Sequence, residues 1–386
     1  MTALITTPKL MYIGGGSLNE LADCMAKLDV HKPLIITDPF MAQSGKIDDV
    51  TAVLDKAGLN HCVFSDTVPE PTTDVIEAGV ALLGEGDFDC LVAFGGGSPI
   101  DTAKAINILA AGGGVMRDYK VPAQPNMPVL PLVAIPTTAG TGSEVTKVTV
   151  ITDTLTDEKM LIMGLACLPD AAIVDYTLTF SVPRRTTADT GIDSITHAVE
   201  AYVSKKASLY TDAVALSAMS LLYKNIRTAC AEPDNAAARE QMMLGANQAG
   251  TAFSNASVCL VHGMSRPVGA AFHVPHGLSN AMLLPAVTRF SAPSALARYA
   301  TCARAMGIAG DNEGDQLAVS KLVDALDALN AELDVPSPAE FGINKDDWFN
   351  AIPTMAEQAI ASGSPANNPR DASADEIAAL YEEIWT

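Results

Sequence analysis

The sequence predicts an α/β domain in its first half and an all-helical domain in its second half. In the first half, short apolar and β-branched runs alternate with helix-forming segments, the pattern of βαβ units with a mainly parallel sheet covered by helices on both faces. From Pro183 onward, apolar residues recur with a period of about 3.6 residues and β-branched runs are few. A chain of 386 residues, 48% hydrophobic and 18% charged, has the length and the apolar content for two globular domains.

Six segments in the first half are predicted to be strands, because each is a short apolar run rich in β-branched residues. They are Lys9–Ile13, Pro33–Thr37, His61–Ser65, Asp89–Phe94, Val129–Ile135 and Ala171–Asp175. The segments Thr146–Ile151 and Lys159–Met163, separated by the polar sequence DTLTDE, predict a hairpin appended to this sheet.

The two predicted domains meet at Ser181–Arg185, where a proline and two arginines separate the last strand from a helix expected to begin near Thr187. The expected domains are therefore residues 1–182 and residues 183–386. At the end of the chain, a serine and a glutamate at capping-box spacing predict a last helix over Ser373–Trp385.

The charge balance excludes some classes of partner. The chain has 24 Lys+Arg against 45 Asp+Glu, a formal net charge of -21, which repels nucleic acids and anionic membranes. The seven cysteines are scattered and include no CxxC, so neither a disulfide framework nor a thiolate zinc site is expected. The N-terminus lacks a secretory leader pattern and no apolar run approaches the roughly 18 residues of a membrane span, so a cytoplasmic protein is expected.

A glycine-rich turn follows the fourth predicted strand, within Asp89–Lys104 (DCLVAFGGGSPIDTAK). Glycines let a ligand approach the backbone, and the free N–H groups of the first helical turn attract an anion. The turn, with Gly95, Gly96, Gly97 and Ser98, therefore suits a pyrophosphate. The spacing is not the GxGxxG fingerprint, so a tight turn needed only for packing is the alternative.

Two further features lie where parallel strands of the sheet are predicted to end. The loop Pro136–Glu144 (PTTAGTGSE) carries hydroxyls and glycines, which line ligand crevices in open α/β sheets, although a polar turn capping a helix is the alternative. Asp38 follows the second strand, where a doubly wound fold holds the adenosine ribose. A carboxylate there accepts a 2′-hydroxyl and repels a 2′-phosphate, which favours NAD over NADP.

A metal site is predicted in the second half, since four of the six histidines lie between residues 197 and 276. Asp193 and His197 are one helical turn apart, so they can chelate one divalent ion or simply form an Asp–His hydrogen bond. The segment Val261–Gly277 adds three histidines, at 262, 273 and 276. One aspartate and three histidines suit a divalent first-row metal and leave room for an oxygen ligand, without choosing between iron and zinc.

Four motifs together resemble those of the iron-containing, group III alcohol dehydrogenases. They are GGGSPIDTAK (95–104), PTTAGTGSEVT (136–146), GIDSITHAVEAYVS (191–204) and VHGMSRPVGAAFHVPHG (261–277). The resemblance implies a Rossmann-like N-terminal domain, an all-helical C-terminal domain, and a cleft between them that holds NAD(H) and one divalent metal, Fe²⁺ or alternatively Zn²⁺. The implied metal ligands are Asp193, His197, His262 and His276. The implied cofactor contacts are Asp38, Gly96, Gly97, Ser98, Asp101, Thr137, Thr138, Thr141 and Lys159.

The sequence departs from the family at one position. Many members carry a further histidine, with a role in proton transfer, four residues after the third ligand, and this chain has Arg266 there. Because arginine does not deprotonate, the hypothesis is that His273 relays the proton; packing of His273 against the nicotinamide or the domain seam is the alternative. One helical turn beyond His262, Arg266 could clamp an anionic group of a short aldehyde, or else pair with a local carboxylate.

The predicted function is that of a metal- and NAD-dependent alcohol dehydrogenase that works mainly as an aldehyde reductase on small substrates, with an anionic aldehyde as one candidate. The metal would act as a Lewis acid on the substrate oxygen while hydride passes to or from the nicotinamide. A lyase resembling dehydroquinate synthase is the alternative, disfavoured because only Arg266 adds a basic group near the motif. A non-catalytic metal-binding oligomer would leave the glycine and threonine loops unexplained. The resemblance also implies a homodimer or larger homo-oligomer.

Overall fold

The computed structural model describes residues 2–386, which form two compact units. The first, here called the sheet unit, spans Thr6–Ser181. The second, the helical unit, spans Val182–Thr386 together with the short stretch up to Ile5. The assignment of residues 1–182 and 183–386 as a dinucleotide-binding and a metal-binding domain stays a prediction.

The strands all lie in the sheet unit. They are β1 (Leu10–Ile13), β2 (Pro33–Ile36), β3 (Cys62–Phe64), β4 (Cys90–Gly95), β5 (Leu132–Pro136), β6 (Val148–Asp153), β7 (Glu158–Met163) and β8 (Ala171–Val174). Six of them form a parallel sheet in the order β1-β8-β5-β4-β2-β3, and β6 and β7 pair antiparallel as a separate sheet. The predicted parallel sheet is confirmed, and the hairpin pairs only with itself.

The helices follow the strands in the sheet unit and then fill the helical unit. In the sheet unit they are α1 (Leu21–Leu28), α2 (Pro39–Gln43), α3 (Ile47–Lys56), α4 (Thr73–Glu85) and α5 (Gly97–Gly112). In the helical unit they are α6 (Arg184–Val203), α7 (Leu209–Ala231), α8 (Ala236–Ala256), α9 (Leu260–Phe272), α10 (His276–Ser291), α11 (Leu296–Ala305), α12 (Asp315–Glu332), α13 (Pro338–Phe341), α14 (Lys345–Ala361) and α15 (Ala374–Glu383). The predicted all-helical second half is confirmed.

The parallel sheet is buried on both faces, which explains its continuous apolar strands. Alternate residues of β2 point to opposite sides: Leu34 packs with α4 and α5, and Ile35 packs with α1 and α3. All residues of β2, β4, β5 and β8 are buried, whereas the edge strand β1 alternates between exposed and partly buried positions. The sheet unit is therefore a three-layer α/β sandwich.

The strand order reverses direction between β2 and β4. From β2 the chain adds β3 on one side, and then places β4, β5 and β8 successively on the other side. Such a reversal leaves a crevice at the carboxyl ends of the two strands on either side of it, which is where open α/β sheets bind ligands. Asp38 follows β2 and the glycine turn follows β4, so both predicted cofactor-binding features lie at this point.

The central element of the helical unit is α6, which is buried on nearly all sides. A helix that is enclosed on every face belongs in the middle of a bundle, and α7, α8 and α10 pack around it. The approach is close at Gly191, where an added Cβ would lie 2.8 Å from Cδ1 of Ile226. This packing holds the polar residues of α6 in a fixed, water-poor position.

Two details of the helices bear on the sequence analysis. The last helix begins as predicted with a capping box, since Ser373 Oγ accepts from Glu376 N and Glu376 Oε2 accepts from Ser373 N. Within residues 2–386, no helix combines the length and the apolar character needed to cross a membrane.

Candidate active site

Three helices of the helical unit bring together the predicted metal ligands. Asp193 and His197 lie one turn apart on α6, His262 lies in the first turn of α9, and His276 is the first residue of α10. Their ligand atoms all lie within 4.8 Å of one another. From Oδ1 of Asp193, the Nε2 atoms of the three histidines are 3.8 Å (His197), 3.5 Å (His262) and 3.9 Å (His276) away. We call these four residues the ligand cluster.

Three members of the ligand cluster are buried and one is exposed. The side chains of Asp193 and His262 are 3% exposed and that of His197 is 5% exposed, whereas that of His276 is 43% exposed. The His197 ring stacks on Phe253, with the ring centroids 4.2 Å apart. His276 is therefore the member of the cluster that a molecule from solvent can contact.

The electrostatics of Asp193 and His197 favour the protonation states of metal ligands. For His262, burial by itself would lower the pKa, but the hydrogen bonds to Asp193 and Glu200 raise it, so an ion would have to displace a proton there. Burial by itself would raise the pKa of Asp193, but the neighbouring histidines lower it well below its usual range. The pKa of His197 falls to about 3, because burial and the charges of His262, His276 and Arg266 outweigh the opposing effect of Asp193. At neutral pH, Asp193 is a carboxylate and His197 is a neutral imidazole, as coordination requires.

A glutamate that the sequence analysis did not single out orients His262. Glu200 lies on α6 one turn beyond His197, and its Oε2 is 2.7 Å from Nδ1 of His262. The same carboxylate accepts from the backbone N–H groups of Cys259 (2.9 Å) and Val261 (2.6 Å). Because a carboxylate only accepts, Nδ1 of His262 must be the donor, which leaves Nε2 free to bind an ion.

The amide of Asn280 faces three members of the ligand cluster. Its Nδ2 is 2.7 Å from Oδ1 of Asp193 and 3.2 Å from Nε2 of both His262 and His276. Its Oδ1 is buried without a hydrogen-bond partner. The N–H groups of the amide thus face three acceptor atoms. A cation bound to the cluster would satisfy the same three atoms. With one carboxylate and three imidazoles, the residues present fit a divalent first-row metal.

The two other predicted functional residues of this segment are not members of the ligand cluster. Arg266 is on α9 one turn after His262, and its Nη1 donates to Ser364 Oγ over 2.9 Å. His273 ends α9 with a left-handed backbone (φ 54°) and an exposed side chain, and it is not a member of the ligand cluster. A positive φ is uncommon for a residue with a side chain.

In the sheet unit, the two predicted cofactor loops face each other. A Cβ added to Gly97, at the start of α5, would lie 2.8 Å from Cγ2 of Thr141, and one added to Gly96 would lie 3.6 Å from the Thr138 side chain. The hydroxyl of Thr137 is buried and has no partner. At Gly97 a side chain would force Thr141 to move, whereas at Gly96 it would make an ordinary contact. The free N–H groups at the start of α5 remain available to an anion.

The carboxylate of Asp38 lies beside the glycine turn. Its Oδ1 caps α2 by accepting from Met41 N over 2.9 Å, and its Oδ2 lies 3.4 Å from where a Cβ on Gly95 would be. Gly95 itself has φ +148°, and its missing Cβ would collide with Pro99. Ser98 follows in the first turn of α5. The structure therefore brings Asp38 and the glycine turn together, as the predicted nucleotide site requires.

Asp101 holds the two loops together from within the protein. Its Oδ1 accepts from Ser143 Oγ over 2.6 Å and its Oδ2 accepts from Val150 N over 3.0 Å. Lys104, which is fully buried and was not predicted as functional, donates from Nζ to Ser143 Oγ (2.8 Å) and to the carbonyl of Val148 (2.8 Å). Burial raises the pKa of Asp101 and lowers that of Lys104, each against the charge of the other. Both groups shape the loop that ends at Thr146.

Lys159 is engaged inside the sheet unit as well. It lies on β7, and its ammonium forms an ion pair with Glu70, a residue with a left-handed backbone (φ 55°). The lysine side chain is 15% exposed. Its positive charge is therefore partly compensated by a neighbour 89 residues away in the sequence, which the sequence analysis did not foresee.

Comparison with known proteins identifies the family. Two sequence profiles match: "Iron-containing alcohol dehydrogenase" over residues 8–176, and "Fe-containing alcohol dehydrogenase family, C-terminal" over residues 187–385. The chain is 35% identical to the lactaldehyde reductase of Escherichia coli (strain K12) over 377 residues, 97% of each chain.

Solved structures agree with these matches. The crystal structure of a 1,3-propanediol oxidoreductase superposes with a TM-score of 0.95 at 33% identity over 100% of both chains. The sulfoacetaldehyde reductase of Bifidobacterium kashiwanohense in complex with NAD⁺ superposes with a TM-score of 0.89 at 28% identity, over 100% of this chain and 99% of that one. These relatives give no support to the lyase alternative, and the predicted class, an alcohol/aldehyde oxidoreductase, is confirmed. The chain belongs to the iron-containing alcohol dehydrogenase family.

Proposed function

We propose that this protein interconverts small alcohols and aldehydes with NAD(H) and one divalent metal ion, and that it works mainly as an aldehyde reductase. In that direction one aldehyde, one NADH and one proton give one alcohol and one NAD⁺. The observation that carries the proposal is the ligand cluster, whose four ligand atoms lie within 4.8 Å of one another. The membership of the chain in the iron-containing alcohol dehydrogenase family supports the class of reaction.

The ligand cluster would hold the ion, with Fe²⁺ proposed and Zn²⁺ as the alternative. A bound divalent ion supplies Lewis acidity, which lowers the pKa of a substrate hydroxyl or polarises a substrate carbonyl. Glu200 keeps the Nε2 atom of His262 free for coordination, and an ion bound to Asp193, His262 and His276 would replace the N–H groups of Asn280 at these atoms. The exposed side of His276 is the side from which the substrate enters.

The sheet unit would bind the dinucleotide, which supplies or accepts the hydride. The N–H groups at Gly96–Ser98 would bind the pyrophosphate, and the hydroxyls of Thr137, Thr138 and Thr141 line the facing loop. Asp38 would accept the 2′-hydroxyl of the adenosine ribose, which favours NAD over NADP. Asp101 would act by positioning, since both of its oxygens accept bonds within the protein. Lys159 remains a proposed cofactor contact. To bind the cofactor, its ammonium group would have to leave its ion pair with Glu70.

We propose His273 as the group that exchanges the substrate proton with solvent. Its imidazole is exposed, so it can pick up or release a proton directly to water. It lies three residues before His276, and its left-handed backbone is of the uncommon kind that tends to be kept at functional sites. Arg266 cannot take this role, because a guanidinium stays protonated.

The proposed function is tested with purified protein, stripped with a chelator and reloaded with Fe²⁺ or Zn²⁺. We expect alcohol-dependent formation and aldehyde-dependent loss of NADH absorbance at 340 nm across C2–C5 substrates, with both signals lost on chelation. Failure of the metal-loaded protein to bind NADH would refute the proposal. A homodimeric or larger assembly and a cytoplasmic location stay predictions. Size-exclusion chromatography with light scattering tests the assembly.

A further inference from the structure

Arg266 is one of two arginines of the helical unit that form no ion pair with a carboxylate. Eight of the ten arginines of the chain form an ion pair with a carboxylate. Among residues 2–386, no carboxylate oxygen lies within 4.0 Å of the Arg266 guanidinium, and its polar contact is the Ser364 hydroxyl. In a chain with a net charge of -21, carboxylates are abundant, so their absence here is informative.

Accessibility distinguishes Arg266 from the other unpaired arginine. Arg239 is 2% exposed and donates to Pro233 O and Thr187 Oγ1, so it is closed within the protein. Arg266 is only partly buried. Buried or half-buried charges are normally paired in proteins. An unpaired guanidinium that a ligand can still reach is therefore a candidate for an ion pair with that ligand.

The charges around Arg266 leave it uncompensated when the site is loaded. The carboxylates of Asp193 and Glu200 balance a divalent cation, and the histidines that bind it are neutral. The positive charge of Arg266, one helical turn or about 6 Å along α9 from His262, then has no counterpart within the site. A substrate with one negative charge would supply that counterpart.

The guanidinium is held in place before any ligand binds. Helix α9 packs directly on the segment that carries Ser364, since a Cβ added to Gly263 would lie 2.7 Å from Cγ of Pro365. Ser364 is itself 5% exposed, and its hydroxyl accepts from Nη1 of Arg266. One edge of the guanidinium is thus fixed, and its other N–H groups keep the planar fork that carboxylates and sulfonates match.

We propose that Arg266, oriented by Ser364, binds the anionic end of a short aldehyde whose carbonyl is reduced at the ligand cluster. The substrate class is therefore an anionic aldehyde, with a carboxylate or a sulfonate as the anion. This inference rests on the proposed function and adds the substrate class of the same site. The redox step is unchanged: NADH gives two electrons and one proton as hydride, and a second proton completes the alcohol.

The test compares matched aldehydes in NADH-dependent reduction. The pairs are succinic semialdehyde with butanal, glyoxylate with acetaldehyde, and sulfoacetaldehyde with propanal, so carboxylate and sulfonate are separate arms. We expect the ratio of kcat/KM for the anionic over the neutral member to exceed 10 for at least one pair in the wild type. In Arg266→Gln that ratio falls by roughly 10- to 100-fold, the loss of one or two charge-assisted hydrogen bonds. Arg266→Lys keeps the positive charge but loses the planar fork of N–H groups, so its kcat/KM ratio should lie between those of the wild type and Arg266→Gln.

A matched control removes a positive charge elsewhere. Arg289 lies on α10, 13 residues and so about 20 Å beyond His276, and pairs with Asp327 and Glu383. Arg289→Gln should leave the ratio unchanged. A readout independent of turnover is calorimetric titration of the metal-loaded protein and NAD⁺ with butyrate and with propanesulfonate, whose binding should be lost in Arg266→Gln. Metal content by mass spectrometry checks that this variant still loads the ion.

Titration of the wild type with butyrate and with propanesulfonate keeps the proposal falsifiable even if the variants fail to fold. A direct ion pair with Arg266 predicts that at least one of these anions binds the metal-loaded protein with NAD⁺, and that added salt weakens this binding. Equal ratios in wild type and Arg266→Gln, or no binding of either anion to the wild type, would overturn the proposal while reduction of neutral aldehydes continued. Absence of reduction with every aldehyde would instead refute the proposed function.

Discussion

Nδ1 of His262 lies 2.7 Å from Oε2 of Glu200, a carboxylate that also accepts two backbone N–H groups at the start of α9. The three bonds tie α6 to α9, so the helix that carries Asp193 and His197 also fixes the ring orientation of the third ligand. Glu200 is therefore a positioning residue for metal binding, and its effect on the ion can be measured separately from catalysis.

Glu200→Gln should weaken metal binding by roughly 10- to 100-fold, because an amide cannot accept from all three donors and must turn an N–H toward one of them. Competition with a coloured chelator measures the affinity. Glu240→Gln, at an exposed position on α8, is the matched control and should bind the ion as the wild type does. Equal affinity of both variants would show that Glu200 does not position His262.

Metal loading should stabilise the helical unit. An ion present at 100 times its Kd adds about 2.7 kcal/mol to the stability of the state that binds it. For a unit of roughly 200 residues, such as the helical unit, we expect a rise in Tm of roughly 5–10 °C when Fe²⁺ or Zn²⁺ is added to stripped protein. Asp193→Asn should abolish the rise, and the exposed Asp311→Asn should retain it. A full rise in Asp193→Asn would place the ion elsewhere.

Asp38 should set the choice between the two dinucleotides. Asp38→Ala removes the charge that repels a 2′-phosphate, so the ratio of kcat/KM for NADPH over NADH should rise at least about 10-fold. The exposed Asp49→Ala, on α3, removes a charge from the same unit and should leave the ratio as it is. If neither variant changes the ratio, Asp38 does not face the ribose.

The closeness of the two cofactor loops predicts opposite outcomes for two Gly→Ala variants. In Gly97→Ala the new methyl would lie 2.8 Å from Thr141 Cγ2 and push the loops apart, which should weaken NADH binding by about 10-fold. A Cβ at Gly84, in α4, meets no atom within 4 Å, so Gly84→Ala should raise stability by up to about 1 kcal/mol with unaltered NADH binding. Fluorescence titration with NADH and urea unfolding measure the two effects. Unaltered NADH binding in Gly97→Ala would contradict this description of the loop.

Lys104 should matter for stability more than any other lysine of the sheet unit. Lys104→Met leaves Asp101 without its positive neighbour and removes the donor to Ser143 and Val148, so urea unfolding should show a loss of about 3 kcal/mol. Lys56→Met, at an exposed site on α3, should change stability by less than about 0.5 kcal/mol. A similar small change in both variants would argue against the buried network.

The proton relay through His273 has its own test. His273→Ala should lower kcat and change the pH–rate profile, because the exchange of the substrate proton with solvent would lose its imidazole. His31→Ala, an exposed histidine in the sheet unit, is the control. An unchanged pH–rate profile in His273→Ala would rule out the relay.

The ligand cluster could be predicted from the sequence because its signal is local. The spacing of Asp193 and His197 on a helix, and the concentration of histidines in one segment, mark the site before any fold is known. The glycine turn and Asp38 are equally local, since each directly follows an apolar strand. Small errors come from helix ends: α6 begins at Arg184 instead of near Thr187, since Pro183 is tolerated just before the first turn.

The supporting residues could not be predicted, because their role depends on distant parts of the chain. Asn280 and Glu200 read as ordinary polar residues of helices, although each is spaced one turn from a predicted ligand, which is the signal that could have found them. Lys104 reads as the solvated end of a helical turn, and its partners are about 40 residues away. The pairing of Lys159 with Glu70 joins two segments that no local pattern connects.

The central claim is that the ligand cluster binds one divalent ion on which NAD-linked aldehyde reduction depends. The most direct measurement follows NADH oxidation with a short aldehyde by stripped protein as Fe²⁺ or Zn²⁺ is titrated in. The account predicts no NADH oxidation without metal and full activity at one equivalent of metal per chain. The His262→Ala variant should stay inactive when one equivalent of metal is added. Full activity in the presence of a chelator, or activity of His262→Ala equal to that of the wild type, would contradict it.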